Sequence, residues 1–370
     1  EAKVREELEQ DGISSRVESG MRVALTAGSR GISQIDVVLR SLVRVLKEKG
    51  AEPFIVQGMG SQGGAPAEGQ MEVLESLGVT EEFCEAQILS SMEVAEIGRT
   101  ERGVPVYMDR HASKADGVVV VNRIKAHTDF RGPAESGLLK MAAIGLGKHD
   151  AALELHGYGV TGIKDYMIEV GEEVLRSGRI LFGLATVENA YDEPAKIEAI
   201  EPENVREREE ELLAEYMGYM PSLPVKEMDV LFVDALGKNY SGTGMDTNVI
   251  GRFRILGVEE PESPNAKYVI VSRVSEESHG NTLGAGLADF TTERFFDAID
   301  RNVMNANVMT STFVERAKIP MVLENDKEAL EAAIRCNWGI PAEETRFVRI
   351  PNTLHLEDAY LSENLVEEAL

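Results

Sequence analysis

Short β-branched runs alternate with amphipathic helical segments along this chain, and that alternation restricts its fold more than any other feature. The runs MRVALTA (21–27), EPFIVQG (52–58) and GVVVVN (117–122) have the composition of strands buried on both faces of a sheet. Between the first two, residues 34–50 have apolar positions at helical spacing and end at a glycine. Strand–helix–strand order predicts a mostly parallel sheet covered by helices. VPVYM (104–108) predicts a further buried strand of this kind.

A second set of strands and helices follows a junction with two prolines, EYMGYMPSLPVKEMD (215–229). VLFVDAL (230–236) and KYVIVSRV (267–274) predict strands, and residues 289–306 predict a helix. With 370 residues, the chain is too long for one ordinary hydrophobic core. The fold class is therefore α/β: we predict two α/β domains with mostly parallel sheets and a ligand cleft between them.

The boundaries follow from the junction. We predict an N-terminal catalytic domain over residues 1–222 and a C-terminal α/β domain over 223–350. Residues 351–370 form a C-terminal tail that could pack back on the N-terminal domain.

Charge and composition argue against several classes of partner. The net charge of −26, without a clustered basic face, disfavours nucleic acid. No run of about 18 uncharged apolar residues is present, so we expect no membrane-spanning helix. The polar start, EAKVREELEQDG, does not resemble a secretory signal. Two distant cysteines predict neither a disulfide framework nor a thiolate zinc site, and the expected location is the cytoplasm.

Four polar, glycine-containing loops follow predicted strands, at 27–33, 57–66, 122–133 and 237–252. In open α/β sheets, ligands bind beyond the carboxyl ends of the strands, so these loops are candidate binding segments. The second loop is glycine-rich and predicts either a phosphate cradle or a turn that another segment approaches closely. The candidates for cofactor binding in the first two loops are Ser29, Arg30, Gly58, Gly60 and Gly63.

His127 lies in the third loop among cationic side chains. It could be an ordinary loop histidine bonded to the backbone, or a base that exchanges a proton near neutral pH. Lys140 interrupts the apolar run GLLKMAAIG, where it is either a lysine whose amine reaches water or a catalytic lysine that acts as a nucleophile or carries a covalently attached cofactor. His156 ends the next apolar stretch and could be a helix C-terminal histidine or a metal ligand. His149 has the features of a surface residue.

The fourth loop, GKNYSGTGMDTNVIGR, is dense in polar side chains. It is either a surface loop or a segment that binds the distal polar end of a substrate. In the second case Lys238 would contact an anion, and Asp246 or Asn248 would contact hydroxyl groups.

Residues 20–160 resemble the nickel-dependent lactate racemase family. The motifs that carry the resemblance are KAHTDF with His127, SGLLKM with Lys140 and LELHGYG with His156. Arg30 in TAGSRGIS matches the arginine of the family's turn after the first strand. Beyond residue 225 the likeness is mainly architectural.

The resemblance implies an isomerase that racemises or epimerises a 2-hydroxy acid by hydride capture and return. The cofactor would be nickel in a nickel-pincer nucleotide, pyridinium-3,5-bisthiocarboxylic acid mononucleotide, attached covalently to Lys140. His156 would be the metal ligand, His127 the catalytic base, and Arg30 would bind the substrate carboxylate.

Two departures from the family pattern redirect the prediction. Met59 and Gly60 stand where the family has its second catalytic histidine, and Ala27 and Gly28 stand where it has an acidic residue. Lactate is therefore not the expected substrate; a larger anionic 2-hydroxy acid is. The alternatives are a redox or elimination enzyme on the same scaffold, or a non-catalytic binder of an anionic nucleotide or sugar acid. A homo-oligomer is compatible with either.

Overall fold

The chain divides into two compact units. The structure is a computed structural model that describes residues 1–28, 32–60 and 67–370. At residues 67, 68 and 310 it describes only the backbone. Unit 1 comprises Glu1–His127 and Arg131–Met220, and unit 2 comprises Thr128–Phe130 and Pro221–Leu370. The division after Met220 falls two residues before the boundary that we predicted. The tripeptide Thr128–Phe130, which belongs to unit 2, was not predicted from the sequence.

Unit 1 is built on a six-stranded sheet with the order β3-β2-β1-β6-β7-β8. These strands are β1 (Arg22–Ala27), β2 (Glu52–Gln57), β3 (Ile88–Leu89), β6 (Gly117–Arg123), β7 (Ile180–Glu188) and β8 (Pro194–Ile200). All neighbours run parallel except β7 and β8. The chain leaves β1 on one side and returns at β6 on the other, so the point between β1 and β6 is where a ligand crevice is expected.

The burial of strand β6 on both faces of the sheet explains why residues 117–121 are uniformly apolar. Val118 and Val120 lie in the hydrophobic cluster on one face of the sheet, and Val119 and Val121 lie in the cluster on the other face. Helices cover both faces. In the described residues of unit 1 they are α1 (Ala2–Leu8), α2 (Asp11–Ser14), α3 (Ile35–Glu48), α4 (Ala67–Ser76), α5 (Glu81–Cys84), α6 (Leu138–Lys140), α7 (Lys148–Gly157), α8 (Gly159–Thr161), α9 (Met167–Arg176) and α10 (Val205–Tyr219). Two π-helices, Met141–Gly145 and Gly162–Tyr166, flank α7 and α8.

Residues 105–109 form a strand close to the predicted range 104–108, but the prediction that it belongs to a parallel sheet was wrong. Strand β5 (Pro105–Asp109) pairs antiparallel with β4 (Val94–Arg99) in a separate two-stranded sheet. A tight turn closes this hairpin, because Thr100 N donates to Val104 O at 2.9 Å. Only alternate residues of β5, such as Val106, are deeply buried at its start, which suits a sheet covered on one face.

Unit 2 contains a second six-stranded sheet, ordered β12-β11-β10-β9-β13-β14. Its strands are β9 (Glu227–Leu236), β10 (Asn265–Val274), β11 (Phe290–Thr292), β12 (Met321–Leu323), β13 (Phe347–Ile350) and β14 (Tyr360–Leu361). Its helices are α11 (Thr247–Ile250), α12 (Glu293–Asp297), α13 (Arg301–Ser311), α14 (Asp326–Cys336) and α15 (Val366–Ala369). Only β13 and β14 pair antiparallel. The two predicted α/β domains with mostly parallel sheets are therefore confirmed.

The prediction of one helix over residues 289–306 was wrong. Residues 289–306 form a strand and two helices, because Thr292 accepts from Phe295 N and Asp300 accepts from Asn302 N, so each side chain begins a new helix. Residues 351–370, which we predicted as a separate tail, belong to unit 2. There β14 pairs with β13, and Leu365 is fully buried in the core of that unit. Among the described residues, no helix is long and apolar enough to cross a membrane.

Helix α9 approaches α6 so closely that only glycine fits at the contact. A Cβ on Gly171 would lie 2.8 Å from Leu139 O and 3.2 Å from Leu139 Cα. We expect Gly171→Ala to lower the free energy of unfolding by about 1–3 kcal/mol, because backbone atoms must move. Gly218→Ala in α10 is the matched control, since nothing lies within 4 Å of its added Cβ. That variant should gain up to about 1 kcal/mol from helix propensity. Urea titrations of both variants test this, and equal effects would contradict the close contact.

Candidate functional site

Lys140 is the last residue of a one-turn helix that continues directly into a π-helix. Leu138 and Leu139 are fully buried, whereas Lys140 is half-buried. In the π-helix Met141–Gly145, Leu146 N donates to Met141 O at 2.8 Å, a bond between residues five apart. Wide turns of this kind occur frequently at functional sites. The local structure therefore singles out the segment around Lys140.

A buried carboxylate caps the helix that carries Lys140. Glu209 of α10 is 1% exposed, and its Oε2 accepts from Leu139 N at 2.9 Å. Glu209 also accepts from Leu138 N. The first N–H groups of a helix have no partner within the helix, so this carboxylate fixes where α6 begins. Our sequence analysis missed Glu209 because α10 is dense in charge. Its spacing from Val205 and Leu213, four residues away on either side, places it in the buried stripe and could have revealed it.

Burial raises the pKa of Glu209 to about 7, although the backbone N–H groups of Leu139 and Leu138 favour the charged form. Loss of water around the carboxylate thus outweighs the two hydrogen bonds. The folded protein holds this proton more tightly than the unfolded chain does.

The loop that carries His127 is closed by its own hydrogen bonds. Lys125 and Ser136 bridge its two ends through backbone bonds of 2.8 and 3.1 Å. Inside the loop, the buried Glu135 accepts from His127 N at 2.6 Å and from Gly132 N at 3.0 Å. Arg131 Nη1 donates to His127 O at 2.9 Å. His127 is half-buried, and its backbone is therefore fixed on both its N–H and its carbonyl side.

Glu135 was not predicted from the sequence. Burial raises its pKa, and the Arg131 guanidinium and the backbone N–H groups of His127 and Gly132 oppose that rise. Its burial could not be inferred from the segment RGPAES, which has no periodic pattern.

The tripeptide Thr128–Phe130 is anchored within unit 2. Arg316, only 2% exposed, forms an ion pair with Asp129 and donates from Nη2 to Thr128 O at 2.8 Å. Thr247 Oγ1 donates to the same carbonyl at 2.8 Å. The residues directly after His127 are thus held by a buried guanidinium, which no sequence pattern indicated.

His156 lies in the last turn of α7 and is half-buried. The negative end of the helix dipole favours a histidine there, as one of the sequence alternatives proposed. His149 near the start of the same helix is exposed, in agreement with the prediction that it is a surface residue.

The fully buried lysine of this segment is Lys148, not Lys140. Lys148 is 0% exposed, and its Nζ lies 3.0 Å from Asp109 Oδ2 and 3.0 Å from Gln57 O. Asp109 Oδ1 accepts from His111 N and Ala112 N at 2.7 and 2.8 Å. Burial lowers the pKa of Lys148, and Asp109 opposes this. The ion pair ties the start of α7 to the ends of β2 and β5. A lysine with a φ of 52° after a glycine carries no recognisable sequence signal.

The turn after β2 is a place of close approach between segments. A Cβ on Gly58 would lie 2.4 Å from Met141 Sδ, and one on Gly60 would lie 3.1 Å from Ile144 Cγ2 and 3.4 Å from Ala152 Cβ. Met59 is 1% exposed and part of the hydrophobic core. The geometry of Gly58 and Gly60 therefore matches the close-approach alternative. Ser29, Arg30 and Gly63 lie outside the described residues.

In unit 2, the loop at 237–252 is held together by many internal bonds. Lys238 is half-buried and donates from Nζ to Gly242 O at 2.8 Å. Asp246 begins helix α11 by accepting from Asn248 N at 2.9 Å, and Asn248 is buried. Asp246 thus has a structural task that the sequence analysis did not assign.

The candidate residues of unit 1 fall into one region. Strands β2, β1 and β6 are adjacent and parallel, so their carboxyl ends, with the Gly58 turn and the His127 loop, share one edge. Asn122 near the end of β6 donates to Gly137 O at 2.7 Å, directly before α6. The Gly58–Gly60 turn contacts the π-helix after Lys140 and the helix that carries His156. Among the described residues, no group of three or more His, Cys, Asp or Glu side chains could bind a metal ion.

Unit 1 is thus an α/β domain with a lysine and two histidines on segments at its strand ends. Comparison with protein families matches residues 2–161 to the lactate racemase N-terminal domain. This range includes His127, Lys140 and His156, so the resemblance to the lactate racemase family that we predicted from the sequence is confirmed.

Solved structures share the fold over nearly the whole chain. The lactate racemase apoprotein of Thermoanaerobacterium thermosaccharolyticum aligns with a TM-score of 0.54 and 11% identity, covering 95% of this chain and 91% of its own. A protein of Thermotoga maritima from a structural genomics programme aligns with a TM-score of 0.56 and 12% identity, covering 96% and 97%. At these identities the similarity concerns the fold alone. Comparison with curated proteins gave no match. Together the findings show a domain similar to the lactate racemase N-terminal domain over residues 2–161 and a lactate racemase-like fold over nearly the whole chain.

The raised pKa of Glu209 predicts a specific pH dependence of stability. Its contribution is fully present below the unfolded pKa of about 4.3 and is lost as pH rises through about 7. Glu209→Gln keeps an oxygen for Leu138 N and Leu139 N but cannot ionise. Between pH 5 and 8 the wild-type protein should lose on the order of 2 kcal/mol relative to the variant. Urea unfolding of both proteins across this range measures the difference, and parallel pH profiles would contradict burial of a titrating carboxyl group.

Breaking the ion pair between Lys148 and Asp109 should lower the free energy of unfolding substantially. Lys148→Met leaves Asp109 charged and buried, so we expect a loss of about 3–5 kcal/mol in the free energy of unfolding. Adding Asp109→Asn, which keeps the Oδ1 acceptor, should recover part of that loss. The exposed pair Lys327–Glu331, with atoms 3.7 Å apart, supplies the control, and Lys327→Met should change stability by less than about 0.5 kcal/mol. Denaturant titrations in which the double variant is no better than Lys148→Met would contradict this account.

Proposed function

We propose that this protein is an isomerase that racemises or epimerises an anionic 2-hydroxy acid larger than lactate. Its cofactor would be a nickel-pincer nucleotide carried covalently by Lys140, with His156 as the metal ligand. When bound, that group supplies a site which accepts the Cα hydride of the substrate and returns it. The observation that carries the proposal is the local structure at Lys140: a half-buried lysine at the end of a helix capped by a buried carboxylate, within a segment that matches the lactate racemase N-terminal domain.

The donor set fits such a cofactor. The π-helix directly after Lys140 and helix α7, which carries His156, both approach the Gly58–Gly60 turn. A single imidazole is enough protein ligation for a metal whose other ligands come from the cofactor, and square-planar nickel accepts imidazole nitrogen. The glycines of the turn let the π-helix and α7 approach the strand ends closely. These features support Lys140 as the tether and His156 as the ligand.

Each remaining candidate has a task in this proposal. His127 takes the proton of the substrate hydroxyl and gives it back, since a histidine exchanges protons near neutral pH. Glu135 and Arg131 hold the backbone of His127, so the ring is presented from a fixed position. Arg30 would bind the substrate carboxylate, with Ser29, Gly58, Gly60 and Gly63 beside the nucleotide. Lys238, Asp246 and Asn248 would contact the distal end of the substrate.

A second candidate function is favoured by the position of Met59. Racemisation by two opposed bases needs a second histidine, and the residue at the family position is a methionine packed in the core. An enzyme with the single base His127 could catalyse a net redox or elimination step on the same scaffold. The two functions differ in the fate of the hydrogen on Cα.

Partners and location remain predictions. We expect the ligand to be a small anionic 2-hydroxy acid and expect neither nucleic acid nor a membrane as a partner, given the net charge of −26. A cytoplasmic location and a homo-oligomer are the accompanying expectations.

The proposal is tested on protein purified from its native source. We expect an added mass on the peptide that contains Lys140, together with stoichiometric nickel. Lys140→Arg should abolish the adduct. His156→Ala should lose nickel but keep the adduct, because the link to Lys140 does not involve the imidazole. His149→Ala, an exposed histidine on the same helix, is the control and should keep both. Native protein with neither adduct nor nickel would overturn the proposal.

The role of His127 is tested on loaded protein with a substrate deuterated at Cα. His127→Gln should lower kcat by about 10²–10⁴-fold while the Lys140 adduct remains, because it removes only proton transfer. Isomerised product that retains deuterium supports internal hydride return. A product isomer whose deuterium has exchanged with water would contradict that route. Release of a keto acid or an unsaturated acid as the sole product would favour the second candidate.

A further inference from the structure

The side chain that directly follows Lys140 is enclosed by glycines from three segments. Met141 is only 4% exposed. A Cβ added to Gly58, in the turn after β2, would lie 2.4 Å from Met141 Sδ, and one added to Gly145, in the π-helix, would lie 2.2 Å from the same atom. A Cβ on Gly28, directly after β1, would lie 3.2 Å from Met141 Cε. The three glycines thus form a socket for the thioether, which a larger residue at Gly58 or Gly145 would displace.

The other end of the same helical turn is attached to strand β6. Asn122 donates from Nδ2 to Gly137 O at 2.7 Å, and Met141 N donates to the same carbonyl at 3.0 Å. The carboxylate of Glu209 accepts the first N–H groups of α6. Hydrogen bonds therefore fix the backbone before Lys140, and the glycine socket holds the side chain directly after it.

Lys140 lies between these two attachments. Its backbone has ordinary helical angles, with φ of −66° and ψ of −38°, so the direction of its side chain follows from the placement of the turn. One peptide unit separates Lys140 from Met141, and close-packed interiors transmit small displacements. An unbranched methionine fills irregular spaces well, which suits a socket built from three separate segments. A change in how Met141 fits this socket should therefore move Lys140.

We propose that Met141 is a positioning residue: its side chain, seated in the glycine socket at the ends of β1 and β2, sets where Lys140 is presented. It acts through Lys140 and takes no part in proton or hydride transfer. The inference rests on the proposed function in one respect, because Lys140 must be the residue that carries the reacting group. The position of Lys140 itself can be tested without any cofactor.

The glycine socket is tested by a double-mutant cycle in urea titrations of the full-length protein. Gly58→Ala should lower the unfolding midpoint, because its methyl group displaces the Met141 thioether. In the Met141→Ala background the same substitution should leave the midpoint unchanged or raise it. The added methyl group then enters vacated space, and the next side chain, Thr26, lies at an ordinary contact distance of 3.4 Å. Equal losses in both backgrounds would overturn the socket.

The positioning of Lys140 is tested by acylation with sulfosuccinimidyl acetate, with the rate at each lysine measured by peptide mass spectrometry. The protein is the full chain, made in a host that supplies no pincer nucleotide. Met141→Ala should raise the rate at the half-buried Lys140 several-fold, whereas the exposed Lys327 keeps its rate. Met141→Leu keeps a carbon at the Sδ position and should bring the Lys140 rate back toward that of the wild type.

Met228→Ala is the matched control for loss of core packing. Met228 is 5% exposed and lies in the core of unit 2, so its truncation lowers stability but should leave the Lys140 rate unchanged. If the Lys140 rate does not rise in Met141→Ala, or rises equally in Met228→Ala, Met141 is only a core residue and the proposal is wrong.

The outcomes separate this inference from the proposed function. A Lys140 rate that depends on Met141 supports the positioning role even if native protein contains no nickel, because no cofactor enters the experiment. An adduct on Lys140 together with acylation rates that do not depend on Met141 would leave the proposed function intact and overturn this inference. In loaded protein, Met141→Ala should lower kcat more than it raises KM, since other residues bind the substrate.

Discussion

A carboxylate removed from water determines how this protein presents Lys140. Glu209 lies in α10, a helix dense in charged residues, yet it is buried and accepts the N–H groups that begin α6. Burying a carboxylate costs several kcal/mol unless hydrogen bonds compensate, so such an arrangement persists only where the fold holds it firmly. Because α6 has a single turn, its start also fixes its end, which is Lys140. The π-helix then follows without a break.

Two further buried charged side chains fix backbone segments in the same way. Lys148 ties the start of α7 to β2 and β5, and Glu135 closes the His127 loop from within. Each of the three segments that carry a candidate residue is thus attached to the scaffold by one buried charged side chain. Groups of this kind contribute little net stability, but they permit few alternative arrangements of the backbone. The result is a set of short segments with defined positions at the strand ends.

The sequence predicted the parts of this structure that depend on local pattern. Uniform apolar runs such as 117–122 indicated parallel strands, and helical spacing at residues 34–50 indicated α3. It also predicted the strand-end loops, because their position follows from the strand order. It failed where a long-range contact decides: the hairpin β4–β5, the tripeptide Thr128–Phe130 and the burial of Lys148. Glu209 is intermediate, since the period of its helix indicated burial while its charge argued against it.

The central claim is that Lys140 and His156 hold one metal-containing group between them. Diffraction from native-source crystals on both sides of the nickel absorption edge tests it most directly. The account predicts a single anomalous peak within coordination distance, about 2 Å, of a ring nitrogen of His156, with continuous density from Lys140 Nζ. A nickel peak remote from His156, or one at His156 beside a Lys140 amine that carries nothing, would contradict it.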